Sequence, residues 1–129
     1  MVNKALFTSI RLDWNTPKAV YQILDAEFNF TFDPCPNNPK FDGLSTEWGL
    51  CNFVNPPYNK EVIKWVEKGI EEYKKGKIVV FLLASRTDTI WFHKLLHIAK
   101  EIRFIKGRLK FDDQINPAPF PSVIIILKI

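Results

Sequence analysis

Ile78 to Leu83 is a run of six apolar residues in succession, and no other segment constrains the fold as strongly. A strand with one wet face alternates, so an unbroken run over 77–85 reads as a strand covered on both faces, as in a sheet with helices on each side. The flanking segments fit that arrangement. From 59 to 75, Val62, Val66, Ile70 and Tyr73 recur at helical spacing, with Glu61 in the first turn and Gly76 behind as a C-cap. After the run, Asp88 or Thr89 caps a helix that turns Phe92, Leu95, Leu96 and Ala99 inward.

Toward the N-terminus, Thr16 as N-cap and Pro17 at the first helical position open a helix over 16–28, with Val20, Ile23, Leu24 and Phe28 on one face. Phe28, Phe30 and Phe32 alternate with Asn29 and Thr31, which predicts a strand stopped by Asp33-Pro34. Residues 34–49 hold three of the nine prolines and two of the five glycines and read as a loop across one end of the sheet. A short strand over 50–54 follows. Residues 101–111 suggest a hairpin about Lys106-Gly107, and a proline-punctuated loop then leads into a final strand.

This alternation predicts a three-layer α/β fold, mainly parallel, with one antiparallel strand near the C-terminus. A chain of 129 residues buries about two thirds of its unfolded surface, so residues 1–129 are expected to form one domain with no separate recognition domain. The apolar run Val123 to Leu127 is far short of the roughly 20 residues of a membrane span. No secretory pattern opens the chain, so Cys35 and Cys51 are expected reduced, in a cytoplasm. The net charge of +4 is compatible with a polyanionic partner without requiring one. Lys74, Lys75 and Lys77 read as solvated charge favourable to a helix C-terminus.

Asn55-Pro56-Pro57-Tyr58, directly after a strand, is the most informative tetrapeptide. Taken alone it is a proline turn that closes a strand. Its placement adds chemistry, because ligands of such sheets bind at the carboxyl ends of the strands. A rigid Pro-Pro turn aims the Asn55 side-chain oxygen and the Pro56 carbonyl one way, with no competing backbone donors. Two such acceptors suit a planar amine with two N–H groups, and Tyr58 supplies a ring to stack on a flat group. The tetrapeptide resembles the reactive motif of N-methyltransferases that act on amino groups with S-adenosylmethionine. Acceptors that hold both N–H bonds as the nitrogen becomes tetrahedral stabilise the transition state more than the flat ground state.

The wider chain resembles the phage-type DNA N-6-adenine methyltransferase (Dam-type) family. The resemblance is carried by Asp13-Trp14-Asn15-Thr16-Pro17, Phe32-Asp33-Pro34-Cys35-Pro36, Asp42-Gly43-Leu44, Asn55-Pro56-Pro57-Tyr58 and Ser85-Arg86-Thr87-Asp88-Thr89 with Trp91-Phe92-His93. Gly107-Arg108-Leu109-Lys110-Phe111 and Ala118-Pro119-Phe120-Pro121-Ser122 complete it. It implies a reduced class I, Rossmann-like methyltransferase fold, S-adenosylmethionine as cofactor and adenine in DNA as substrate. It also implies a phage or prophage origin and action in a bacterial cytoplasm. By position, Thr16, Pro17, Asp33, Pro34, Cys35 and Asn55 would meet the cofactor, and Asn55, Pro56, Pro57 and Tyr58 would hold the target amine and base. The sequence PCPNNPK stands where wider methyltransferases carry a glycine-rich turn, and the chain between Asp33 and Asn55 is too short for the two βα units that larger methyltransferases place there, which leaves Asp42 as the acidic residue to meet the adenosine part.

Further substrate contacts are open to two readings. The segment 85–89 is either a capped turn with Arg86 solvated or a ligand-end loop in which Arg86 and Asp88 face a phosphate or base edge. Phe92 is expected in the core, leaving Trp91 or His93 for the substrate. Arg108, with Lys106 and Lys110, is either a solvated charge or a DNA-backbone contact. His93 and His97 without a third ligand predict no metal. Two alternatives stay open: a protein-glutamine or RNA-base N-methyltransferase, and a non-catalytic nucleic-acid-binding module. With one core only, base selection would fall to loops 34–49, 85–93 and 106–122, or to a homodimer that supplies the missing surface.

Overall fold

Strand β2 (Ile78–Ala84) occupies the inside of the sheet, and Val79 to Leu83 have no exposed surface. A computed structural model describes residues 16–110 and 118–129. Among them the chain forms an α/β fold of three helices and a four-stranded mixed sheet. The elements follow the order α1 (Lys18–Phe28), β1 (Cys51–Val54), α2 (Val62–Lys74), β2, α3 (Ile90–Ile98), β3 (Glu101–Phe104) and β4 (Ser122–Leu127).

The strand order is β1-β2-β4-β3. β2 is parallel to β1, from Cys51↔Ile78 to Val54↔Phe81, and antiparallel to β4, from Val79↔Leu127 to Ala84↔Ser122. β3 is antiparallel to β4. The reversed C-terminal strand matches expectation, but it lies between two strands of the other direction rather than at an edge. Both of its ladders are therefore antiparallel, and the sheet is mixed in its pairing rather than mainly parallel.

Period-two alternation divides the sheet between two cores. Val79, Phe81 and Leu83 join Val123 and Ile125 in the core that receives Trp65 and Val66 of α2 and Trp91, Phe92 and Leu95 of α3. Val80, Leu82 and Ala84 join Phe53, Ile124 and Ile126 in the core that receives Val20 and Leu24 of α1, with Leu109, Ala118 and Phe120. Trp91 takes the inward position expected of Leu96, which is exposed. In α2, Gly69 lets the helix close onto β2, since a Cβ there would lie 2.3 Å from the Phe81 ring. α1 is fixed to β3 by Arg103, which donates to both carboxyl oxygens of Glu27 at 2.6 Å.

Two expected strand pairings do not form. Helix α1 runs through Phe28, and Asn29 in the left-handed region ends it. Beyond it only Phe32 pairs, in a single parallel bridge to Asn52, because the Thr31 and Phe32 N–H groups both converge on the Cys51 carbonyl. The hairpin at Lys106-Gly107 is replaced by pairing of β3 with β4. Residues 108–110 form no strand; Leu109 is buried instead, and its carbonyl accepts from the Ala118 N–H at 2.9 Å. Asp13, Trp14, Asn15 and Phe111 of the resemblance lie outside the described residues.

The lysines after α2 are a further correction. Lys74 is exposed, but Lys77 is buried against Glu72, which has no exposed surface. Glu72 accepts from Lys77, from Lys68 and Lys75 at 3.0 Å, and from the Trp48 N–H at 3.2 Å. Lys77 also donates to the Trp48 carbonyl at 2.7 Å. The cluster joins the end of the 34–49 loop to α2 and to the start of β2. Burial pushes the Glu72 carboxyl up, but the hydrogen bonds from Lys77, Lys68, Lys75 and Trp48 outweigh it and hold the group at about 2.

A carboxyl depressed in the folded state contributes stability that is complete above its unfolded value, roughly 4.3, and is lost as pH falls toward the folded value. Thermal unfolding followed across this range is expected to show wild type losing more stability between about pH 5 and pH 2 than Glu72→Gln. At neutral pH the same variant is expected to cost on the order of 3 kcal/mol, since it removes the buried carboxylate and leaves Lys77 only the exposed Glu47 carboxylate at 2.8 Å. Equal slopes for the two proteins would rule this cluster out as the source.

Candidate active site

The site grows from the place where β1 stops. Pro56 and Pro57 have no N–H to donate, so pairing with β2 ends at Val54↔Phe81, while β2 continues to Ala84 against β4. The chain turns away at that notch. Asn55 Nδ2 donates to Thr16 Oγ1 at 3.0 Å, and Asn55 Oδ1 accepts from the Tyr58 hydroxyl. The Tyr58 ring lies 4.8 Å from the Phe120 ring, and the Arg86 guanidinium stands 5.7 Å from the centroid of Phe120. Burial, with the Cys35 thiol adding to it, pushes the Tyr58 hydroxyl well above the ordinary tyrosine range, so it remains a neutral donor.

Cavities open on both sides of the turn. The larger, about 520 Å³, is lined by Thr16, Asp33, Cys35, Asn55 and Phe53, and by Lys18, Tyr21 and Gln22 of α1, with Asn37 at its edge. The smaller, about 260 Å³, is lined by Tyr58, Asn59, Val62, Ala84, Arg86, Thr89 and Trp91. Asn55 faces the first and Tyr58 the second.

Asp33 closes an Asx turn, its Oδ1 accepting from the Cys35 N–H at 2.9 Å. Burial raises its carboxyl and the Cys35 N–H partly offsets this. The nearby Tyr21 hydroxyl is raised by burial, then by the charges of Asp25 and Asp33.

Of the residues expected at the cofactor, Thr16, Asp33, Cys35 and Asn55 share the larger cavity. Pro17 and Pro34 are buried and do not line it, and neither does Asp42. Asp42 Oδ1 instead accepts from the Leu44 N–H at 3.0 Å, and its carbonyl accepts from Thr46 Oγ1 at 2.7 Å. Gly43 beside it is a packing residue, because a Cβ would lie 1.9 Å from the Pro34 carbonyl oxygen and 2.8 Å from the Trp65 ring. The Gly43 carbonyl also accepts from Trp48 Nε1 at 2.7 Å. The Asp42-Gly43-Leu44 block thus buttresses the Asp33-Pro34-Cys35 turn from behind. Thr16 does not cap α1: Pro17 is the N-cap residue, and the Thr16 hydroxyl goes to Asn55.

Of the expected substrate residues, Tyr58, Arg86 and Trp91 share the smaller cavity, with Trp91 also counted in the core. Thr89, not Asp88, caps α3, accepting from the Phe92 N–H at 3.3 Å. Asp88 and His93 line a different depression, with Lys94 and His97. Arg108 is exposed and lies apart from both cavities, with its Nη1 3.5 Å from the Ala118 carbonyl. Lys18, Tyr21 and Gln22 were not anticipated, although their spacing places them on one helical face just after Thr16-Pro17. Phe53 carried no signal, since a four-residue buried strand does not reveal which face looks into a cavity.

Among the described residues no group of three His, Cys, Asp or Glu could hold a metal ion, and no helix is long and apolar enough to cross a membrane. A family model described as DNA N-6-adenine-methyltransferase (Dam) matches residues 4–124. No curated protein matches the chain.

Gly43→Ala is expected to lower stability by about 3 kcal/mol or more, because the added methyl meets backbone rather than a movable side chain. Asp42→Asn is expected to be nearly neutral, since the amide oxygen can keep the turn. Denaturant unfolding of both variants checks this, and a Gly43→Ala protein as stable as wild type would refute the close approach.

Proposed function

The chain belongs to the Dam family of DNA N-6-adenine-methyltransferases, and on that premise we propose that it transfers a methyl group from S-adenosylmethionine to the exocyclic amine of adenine at the Asn55–Tyr58 turn. The observation that carries this reading is the position of the turn between two cavities, one faced by Asn55 and the other by Tyr58. We read the fold accordingly as a reduced class I, Rossmann-like methyltransferase in three layers.

The larger cavity has the chemistry for the cofactor. A zwitterionic amino acid joined to a nucleoside needs a cation, a carboxylate, amides and an apolar surface for its base. Lys18, Asp33, Gln22, Asn37, Tyr21 and Phe53 offer these together, in a volume within the roughly 300–1,000 Å³ usual for such ligands. When bound, S-adenosylmethionine supplies the methyl group as the electrophilic carbon of a sulfonium. The smaller cavity, half that volume, suits a single base extruded from the duplex, with the Tyr58 and Trp91 rings as walls.

The adenine amine is a poor nucleophile because its lone pair is delocalised into the ring. Asn55 Oδ1 and the Pro56 carbonyl would accept its two N–H bonds and favour the tetrahedral nitrogen. The Tyr58 hydroxyl already uses Asn55 Oδ1; an amide oxygen has two lone pairs, so a second donor can share it. Arg86, which lines the smaller cavity, would meet a phosphate. Duplex recognition would rest on the loops over 34–49, 85–93 and 106–122, or on a second copy of the chain.

Transfer of labelled methyl from S-adenosylmethionine to unmethylated adenine-containing DNA tests the reading. Asn55→Ala is expected to lower the single-turnover rate by about 10²–10³-fold. Tyr58→Phe keeps the ring but removes the hydroxyl that donates to Asn55 Oδ1, and is expected to lower the rate less than Tyr58→Ala, which also loses stacking worth about 1–3 kcal/mol. Because burial raises the Asp33 carboxyl, cofactor affinity is expected to fall on acidification from a pH above the ordinary aspartate value of about 3.9, and Asp33→Asn is expected to flatten that fall. Equal labelling by wild type and Asn55→Ala would sink the assignment.

A further inference from the structure

We propose that Thr16 is a positioning residue, whose hydroxyl holds the Asn55 amide with its oxygen turned toward the side where Tyr58 and the target amine lie. The inference rests on the reading of Asn55 as the amine acceptor. It departs from the expectation that Thr16 holds the cofactor.

A threonine before a proline at a helix start ordinarily spends its hydroxyl on the first free N–H groups of the helix. Here that task is not assigned to it. Pro17 is the cap residue, its carbonyl accepts from the Tyr21 N–H at 3.2 Å, and among the described residues no side-chain cap bond is made at the helix start. Thr16 Oγ1 instead accepts from Asn55 Nδ2 at 3.0 Å, across 39 positions of sequence.

An asparagine amide needs such a partner. Its two ends have nearly the same shape and opposite hydrogen-bonding character, so packing alone does not choose between the amide and its reversed form. Neighbouring hydrogen bonds decide. In this structure two hydroxyls hold opposite ends, with Thr16 accepting from Nδ2 and Tyr58 donating to Oδ1. Tyr58 keeps its proton, because burial drives the hydroxyl away from ionisation. In the reversed amide both hydroxyls would have to rotate and exchange donor and acceptor roles, and Nδ2 rather than Oδ1 would stand on the Tyr58 side. Threonine suits the other end because its β-branch restricts χ1 and so fixes where the hydroxyl stands.

The clamp also couples the two cavities. Thr16 and Asn55 line the larger, and Tyr58 lines the smaller. Thr16 leads directly into α1, whose residues Lys18, Tyr21 and Gln22 share the larger cavity.

Thr16→Val is nearly isosteric and removes the hydroxyl; Thr16→Ser restores it. Under saturating S-adenosylmethionine, the valine variant is expected to lose about 10- to 100-fold in single-turnover transfer. Calorimetric affinity for S-adenosylmethionine is expected to stay near wild type, and the serine variant to recover the rate. In an Asn55→Ala background, Thr16→Val is expected to add no further loss, because the group it positions is gone. In the ligand-free protein, the side-chain amide NMR pair that disappears in Asn55→Ala should shift in Thr16→Val and stay in place in Thr16→Ser. A weakened cofactor affinity with an unchanged saturated rate would overturn the proposal in favour of a cofactor contact. Additive losses, or an amide pair indifferent to valine, would also overturn it. If wild type methylates no adenine, the proposed activity falls, while the amide resonances still decide whether Thr16 holds Asn55.

Discussion

The missing N–H groups of Pro56 and Pro57 shape the functional end of the molecule. β1 cannot follow β2 past Val54↔Phe81, yet β2 continues as far as Ala84 with β4 as its other neighbour. The sheet is therefore notched at the carboxyl end of β1. Everything argued for chemistry stands around that notch: the Asn55 amide on its rim, Tyr58 folded back toward β2, and a cavity on either side. A strand one turn longer would have closed the gap with ladder bonds. The proline pair thus creates the space and, by its rigidity, fixes the groups that face it.

Such a notch stays open only if the surrounding loops are held, and here they are held from a distance. The Asp33-Pro34-Cys35 turn is backed by Gly43 against Pro34 and Trp65. The same loop ends in Trp48, whose N–H and carbonyl join the buried pair of Glu72 and Lys77. On the other side, Phe120 supports Tyr58 and carries Arg86 over its ring. Rigid support of this kind is what a positioning mechanism requires, because transfer between two bound groups depends on alignment more than on any covalent help from the protein.

What could be read from the residues follows the range of the interaction. The run Ile78–Leu83 declared a doubly covered strand, Thr89 was one of two residues offered as the cap of α3, and the reversed final strand was anticipated. Each depends on neighbours within a few positions or on the strand's own composition. The errors share the opposite property. Thr16 looks like a cap because its competing partner, Asn55, is remote in sequence. Lys77 looks solvated because nothing nearby announces that Glu72 is buried. Asp42, offered by the resemblance as a cofactor contact, accepts locally from the Leu44 N–H and does not line the larger cavity. Phe28, Phe30 and Phe32 do alternate, but the left-handed Asn29 and the shared Cys51 acceptor limit the pairing to one bridge.

A chain with so little surface to spare gains from making one amide serve two cavities. Asn55 is a wall of the larger cavity through its own side chain, and it reaches the smaller through Tyr58. A shift of the amide therefore changes both spaces together. Here two hydrogen bonds connect Thr16 to Tyr58 by way of Asn55. On the proposed reading, selection among DNA sequences would come from what surrounds the smaller cavity, because the turn offers acceptors for an amine and a ring to stack on a flat group. Arg86 on the Phe120 face belongs to that surround, and it meets a phosphate as readily as a base edge. On that reading the site would favour the chemical identity of the base over the sequence in which it stands.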